Sequence, residues 1–123
     1  MEKIHTDKAP KAVGPYSQAV ISGGMVYTSG QIAINPETDT IEAKTVEEQT
    51  EQVMQNLKAV LEASGSSFEN AVKTTCFLAD MGDFAVFNGI YAKYFTSLPA
   101  RSCVAVKTLP KNVLVEVEVI AEV

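Results

Sequence analysis

Val113-Leu114-Val115-Glu116-Val117-Glu118-Val119-Ile120 is the stretch whose reading decides the fold of this chain. Successive strand side chains point to opposite sides, so the odd-numbered valines share one face. Leu114, Glu116, Glu118 and Ile120 share the other. The valine face demands a covering layer, and two glutamates forbid the same layer on the far side. The strand therefore belongs to a sheet with one face covered and the other left for water or a partner.

Just upstream, Pro99-Ala100-Arg101-Ser102-Cys103-Val104-Ala105-Val106 alternates in the same way. Pro99 keeps the preceding backbone extended. Ser102, Val104 and Val106 fall on one side, and Arg101, Cys103 and Ala105 on the other. Taking the valine side as the core side, and Leu109-Pro110-Lys111-Asn112 as the turn, strands 101–109 and 113–123 form a hairpin. Cys103 then lies opposite Glu118, Ala105 opposite Glu116, and Arg101 is nearest Glu118 diagonally. Arginine stays charged at ordinary pH and needs an anionic partner when even partly buried. Two readings follow: cross-strand ion pairs to the glutamates, or a carboxylate grip with an acid beside it.

Outward from this pair, Thr45 with Glu48 three residues on is a capping box. Val46, Val53, Leu57, Val60 and Leu61 recur at helical spacing until Ser64-Gly65. A second helix runs from about Phe84 to Phe95, with Phe84, Phe87, Ile90, Tyr91 and Tyr94 as a core stripe. Ala71 to Ala79 is rich in strand formers. Runs 16–22 and 25–33, joined by Gly23-Gly24, form a hairpin, and Gly30 inside the second marks a bulge or a close approach. Residues 1–16, broken by Pro10, Gly14 and Pro15, form an extended lead-in. The expected order is β-β-α-β-α-β-β, an α+β domain spanning 1–123 with both helices on one face. The far side of the last two strands then carries Leu114, Ile120, Cys103 and Ala105, too apolar for plain water, which implies oligomerisation.

The chain has 123 residues, a net charge of −5 and ten scattered basic residues, a poor match to nucleic acid. No apolar run reaches a bilayer span, and the first residues carry no signal-peptide core, so a cytoplasmic setting is expected. Two distant cysteines, Cys76 and Cys103, read as unpaired thiols, and His5 is the sole histidine. Neither a metal site nor a Ser-His-Asp triad has its residues here. Any catalysis falls to Glu, Asp, Tyr, Lys, Arg and backbone amides.

Gly14-Pro15-Tyr16-Ser17-Gln18-Ala19, Thr28-Ser29-Gly30-Gln31-Ile32, Asn56-Leu57-Lys58-Ala59-Val60-Leu61 and Phe87-Asn88-Gly89-Ile90-Tyr91 follow one another along the chain. With Pro99-Ala100-Arg101-Ser102-Cys103-Val104 and Val115-Glu116-Val117-Glu118, they resemble the RidA (YjgF) family of enamine/imine deaminases across nearly the whole length. The resemblance implies a chorismate-mutase-like fold, a homotrimer with clefts between subunits, and hydrolysis of 2-imino acids to 2-keto acids and ammonia. By the same resemblance, Arg101 holds the substrate carboxylate and Cys103 lines the pocket through its backbone. Glu116 handles the water, while Tyr16, Ser29, Gly30 and Asn88 complete the pocket. No metal or cofactor is implied, since a protonated imine is already electrophilic. A carboxylate-binding regulator on the same trimer is the alternative, and a ribonuclease or translation inhibitor a weaker one. An intact Arg101–Glu116 set favours the enzyme, whereas the acidic charge and missing histidines weigh against RNA chemistry.

Overall fold

The computed structural model describes residues 1–123. One six-stranded sheet runs in the order β1-β2-β3-β6-β4-β5. Its strands are β1 (Glu2–Ile4), β2 (Ala19–Ser22), β3 (Met25–Thr28), β4 (Ala71–Leu78), β5 (Ala100–Ala105) and β6 (Val115–Glu122). Helices α1 (Val46–Ala63) and α2 (Phe84–Tyr94) supply the covering layer. Both contribute to one core with the sheet: Leu57 and Leu61 of α1 and Phe87 and Tyr91 of α2 join Cys76, Val115, Val117 and Val119. The α+β class and the one-sided helix layer stand as expected.

β6 lies inside the sheet, between β3 and β4, and its alternation is regular. Val115, Val117, Val119 and Ala121 are buried while the residues between them stay partly open. Each fully buried valine contributes about 1.5–3 kcal/mol by leaving water. β6 runs antiparallel to both β3 and β4. Helix α1 begins at the expected capping box, where the Glu48 N–H donates to Thr45 Oγ1 at 3.1 Å and the Thr45 N–H to Glu48 Oε1 at 3.3 Å. The Gly23-Gly24 hairpin also forms, with both glycines at positive φ (59° and 77°), where a side chain would be strained.

Three expectations are corrected. Residues 2–4 are a strand, β1, added antiparallel to β2. The last two strands are shorter than their alternation suggested, and they are not a hairpin. β4 lies between them, parallel to β5 and antiparallel to β6. Hence Arg101 pairs with Thr74 and Cys103 with Cys76, while Glu118 pairs with Thr75 and Glu116 with Phe77. The third correction follows from register, since paired residues share a side of the sheet. Thr74, Cys76, Val117 and Val119 are buried under the helices, so Arg101 and Cys103 face the helix layer. Ser102, Val104, Glu116 and Glu118 share the open side. The physical reason is that β5 is an edge strand whose pattern favours neither face. Its valine side remains exposed, Val104 at 46%.

Candidate functional site

The expected residues gather at two places. At the first, Tyr16, Ser29, Gly30 and Glu116 line a cleft of about 720 Å³, together with Val13 and Lys111. A bulge builds it. Between the pairs Tyr27–Ile120 and Gln31–Val117, residues 28–30 face only residues 118 and 119. Thr28 Oγ1 repairs the ladder by accepting from the Val119 N–H at 3.0 Å. The Ser29 N–H donates to the Gln18 carbonyl at 2.9 Å, and Ser29 Oγ to the Ser17 carbonyl at 2.5 Å. The Gly30 N–H is left without an acceptor in the chain.

Gly30 is required by what lies opposite. A Cβ at this position would overlap the Glu116 carboxylate, 2.8 Å from its carboxyl carbon. The close approach expected from the sequence is therefore an approach of acid to backbone. Asn56 of α1 holds the segment that follows, donating to the Ile32 and Ile34 carbonyls at 3.0 and 2.9 Å. Gln18 holds the opposite wall. Its amide accepts from the Thr6 N–H at 2.7 Å and donates to the Thr6 and Pro10 carbonyls at 3.0 and 2.8 Å. Glu116 is half-buried, and burial, then the neighbouring Glu118 charge, push its carboxyl above the ordinary 4.5.

At the second place, Arg101 leans from the edge strand toward α2. Its Nη1 donates to Asn88 Oδ1 at 2.6 Å, and the guanidinium sits 4.7 Å from the Tyr91 ring centre and 5.4 Å from that of Phe84. Neither glutamate pairs with it. The ion pairs in the structure are His5–Asp7, Lys58–Glu62 and Lys93–Glu51, which removes the cross-strand ion-pair reading. A half-buried cation is thus held by one neutral oxygen and two aromatic faces, with the rest of its fork free for an anion. Cys103 lies two residues along on the same side. Burial raises its thiol, although Arg101 lowers it, and Cys76 is pushed up to about 12 by burial. Both thiols are free.

The two places lie on opposite sides of the sheet, so one chain does not bring Arg101 and Asn88 to Glu116. The sequence reading missed Tyr91 and Phe84, taken as core alone. The signal was present: Phe84, Asn88 and Tyr91 follow at i, i+4 and i+7, one stripe of α2. No group of three His, Cys, Asp or Glu side chains is placed to hold a metal. No helix is long and apolar enough to cross a membrane.

The profile of the family described as Endoribonuclease L-PSP matches residues 6–123. Reactive Intermediate Deaminase A of Arabidopsis thaliana is 48% identical over 121 residues, covering 98% of this chain and 65% of that protein. The chain belongs to the RidA (YjgF) family. A RutC family protein of Synechocystis is 52% identical over 124 residues, covering 98% of this chain and 95% of its own. Among solved RidA-like structures, E. coli TdcF with bound serine superposes with a TM-score of 0.94 at 42% identity, covering 100% of this chain and 99% of that one.

Proposed function

We propose that this RidA-family chain hydrolyses reactive 2-imino acids to 2-keto acids and ammonia, in a homotrimer whose clefts join Arg101 of one subunit to Glu116 of the next. The observation that carries this reading is the separation just described. Neither Arg101 nor Glu116 has an ion-pair partner within the chain, which leaves the fork for a substrate carboxylate and the acid for a site completed by a second copy. The open side of the sheet, with Val104 and Val72 exposed, offers a surface for that copy.

The chemistry needs little machinery. Arg101 grips the substrate carboxylate, with charge-assisted bonds contributing about 1.5–3 kcal/mol. Glu116 orients a water and takes its proton as the oxygen adds to the imine carbon. That proton then passes to the nitrogen, and as the C–N bond breaks the new hydroxyl gives its own proton to Glu116, so that the carbonyl forms and ammonia leaves the keto acid. The raised Glu116 carboxyl suits this exchange better than an ordinary one. The free Gly30 N–H supplies a further donor in the cleft. TdcF was solved with serine, a small carboxylate of the same class. RNA cleavage fits poorly. The net charge is −5, and the sole histidine, exposed His5, is bonded to Asp7 at 3.1 Å outside the cleft.

The test is direct. With 2-iminobutanoate generated in situ, the protein should speed the appearance of 2-oxobutanoate well above the spontaneous rate. A rate equal to the protein-free blank would remove the deaminase reading.

A further inference from the structure

Arg101 projects from the outermost strand, where a long side chain has many rotamers and little packing to select one. Asn88 holds one end of the guanidinium, and the Tyr91 ring backs it with the guanidinium carbon 4.7 Å from the ring centre. Tyr91 therefore decides the direction in which the fork is presented. Its ring lies between Phe95 at 4.5 Å and Phe87 at 5.7 Å, contacts that hold its body but not its hydroxyl end. That end shares a 2.7 Å hydrogen bond with Thr74 Oγ1, and Thr74 is fully buried. Thr74 is also the residue paired with Arg101 across the β4–β5 ladder. One residue of β4 thus holds the arginine twice, through the backbone register and through a hydroxyl–ring–guanidinium stack.

We infer that Thr74 is a positioning residue for the carboxylate grip: its hydroxyl anchors Tyr91, and Tyr91 presents the Arg101 fork to the ligand. The inference rests on the reading of Arg101 given above. Valine has the same branched shape and suits a buried strand position well, so packing alone does not ask for a hydroxyl here. Without it, the buried Tyr91 hydroxyl loses its partner and is driven toward water, drawing the ring away from its place behind the guanidinium. The other polar neighbour is Cys76 Sγ, a weak donor at 3.9 Å from Thr74 Oγ1 and no substitute. Thr74 is fully buried and does not line the Glu116 cleft, so the effect falls on binding of the charged end and leaves the water-handling step alone.

The experiment compares Thr74→Val, Thr74→Ser and the wild type. Calorimetry reads affinity for 2-oxobutanoate and for its uncharged amide, and kinetics separates KM from kcat. Thr74→Val should weaken 2-oxobutanoate binding and raise KM about tenfold. Its kcat and its affinity for the amide should stay unchanged. Thr74→Ser, which keeps the hydroxyl, should return both values to within about twofold of the wild type. A Thr74→Val protein with a lowered Tm but unchanged affinity and KM would show a structural role only and overturn the inference. Should Thr74→Val not fold, Tyr91→Phe cuts the same hydrogen bond from the other side, and an unchanged KM there overturns it equally. Wild-type protein that does not bind 2-oxobutanoate would sink the reading of Arg101 itself, and this inference with it.

Discussion

The Arg101 shelf and the Glu116 cleft solve opposite problems. The shelf keeps a cation charged without neutralising it, using one amide oxygen and the faces of Tyr91 and Phe84. The cleft makes an acid less acidic, by half-burial against Gly30 with Glu118 beside it. A salt bridge between them inside one chain would have satisfied both charges and left nothing for a ligand. Placing them on opposite sides of a sheet prevents that collapse. On the proposed function, the same placement leaves each half for another copy to complete.

Mixing subunits is the sharpest way to break this comparison. Arg101→Ala and Glu116→Gln proteins should each be nearly inactive, with losses on the order of 10²–10⁴ for the glutamate. The arginine variant should lose carboxylate affinity, whereas the glutamate variant should keep it. Unfolded and refolded together, they should recover roughly a quarter of the wild-type sites, because random trimers then pair intact halves from different chains. No recovery, or a monomer by light scattering, would overturn the site shared between subunits.

The pH dependence sharpens the cleft side. Because the folded carboxyl of Glu116 lies above 4.5, the acid limb of kcat/KM should fall above that value. Glu118→Gln removes one of the two causes and should move the limb downward while leaving the trimer intact. Stability follows the same sign. A raised carboxyl binds its proton more tightly when folded, so stability falls as pH rises from 4.5 through the raised value. The Tm advantage of Glu116→Gln should therefore be absent at low pH, grow across that window and then level off. A limb at or below 4.5 would contradict the burial of the acid.

The smallest effect is expected at Cys103. Its thiol is raised by burial and is thus mostly protonated near neutrality, a poor nucleophile. Cys103→Ala should cost no more than about threefold in kcat/KM, since the backbone role that the family resemblance implies needs no sulfur. A loss matching that of Arg101→Ala would give the sulfur a part in the reaction.

Much of this was readable from residues. The capping box at Thr45, the glycine pair at 23–24 and the valines of β6 each determine local structure by a mechanism that needs no distant partner. Strand order is different. Alternation tells which side of a strand is buried, not which strand lies beside it, and β5 alternates serine and valine against arginine, cysteine and alanine. Nothing local in that pattern reveals that β4 separates it from β6. β1 escaped because three residues carry no period. Geometry alone nominated Glu118 as the neighbour of Arg101. The family resemblance nominated Glu116 for a different task, handling water, and the structure places that acid against Gly30. Tyr91 was hidden by its success as a core residue, since an aromatic can fill space and face a cation at once.

The central position of β6 bears on how the molecule is made. β3 and β4 are both paired to it, yet it follows them in the chain by many residues. A ribosome has therefore synthesised both helices and five strands before the strand that joins the two halves of the sheet exists. Until residues 115–122 emerge, β3 and β4 each expose an open edge, the condition that invites pairing with the wrong chain. Truncations and ribosome stalls short of this segment should yield aggregation-prone fragments rather than folded but weakened proteins.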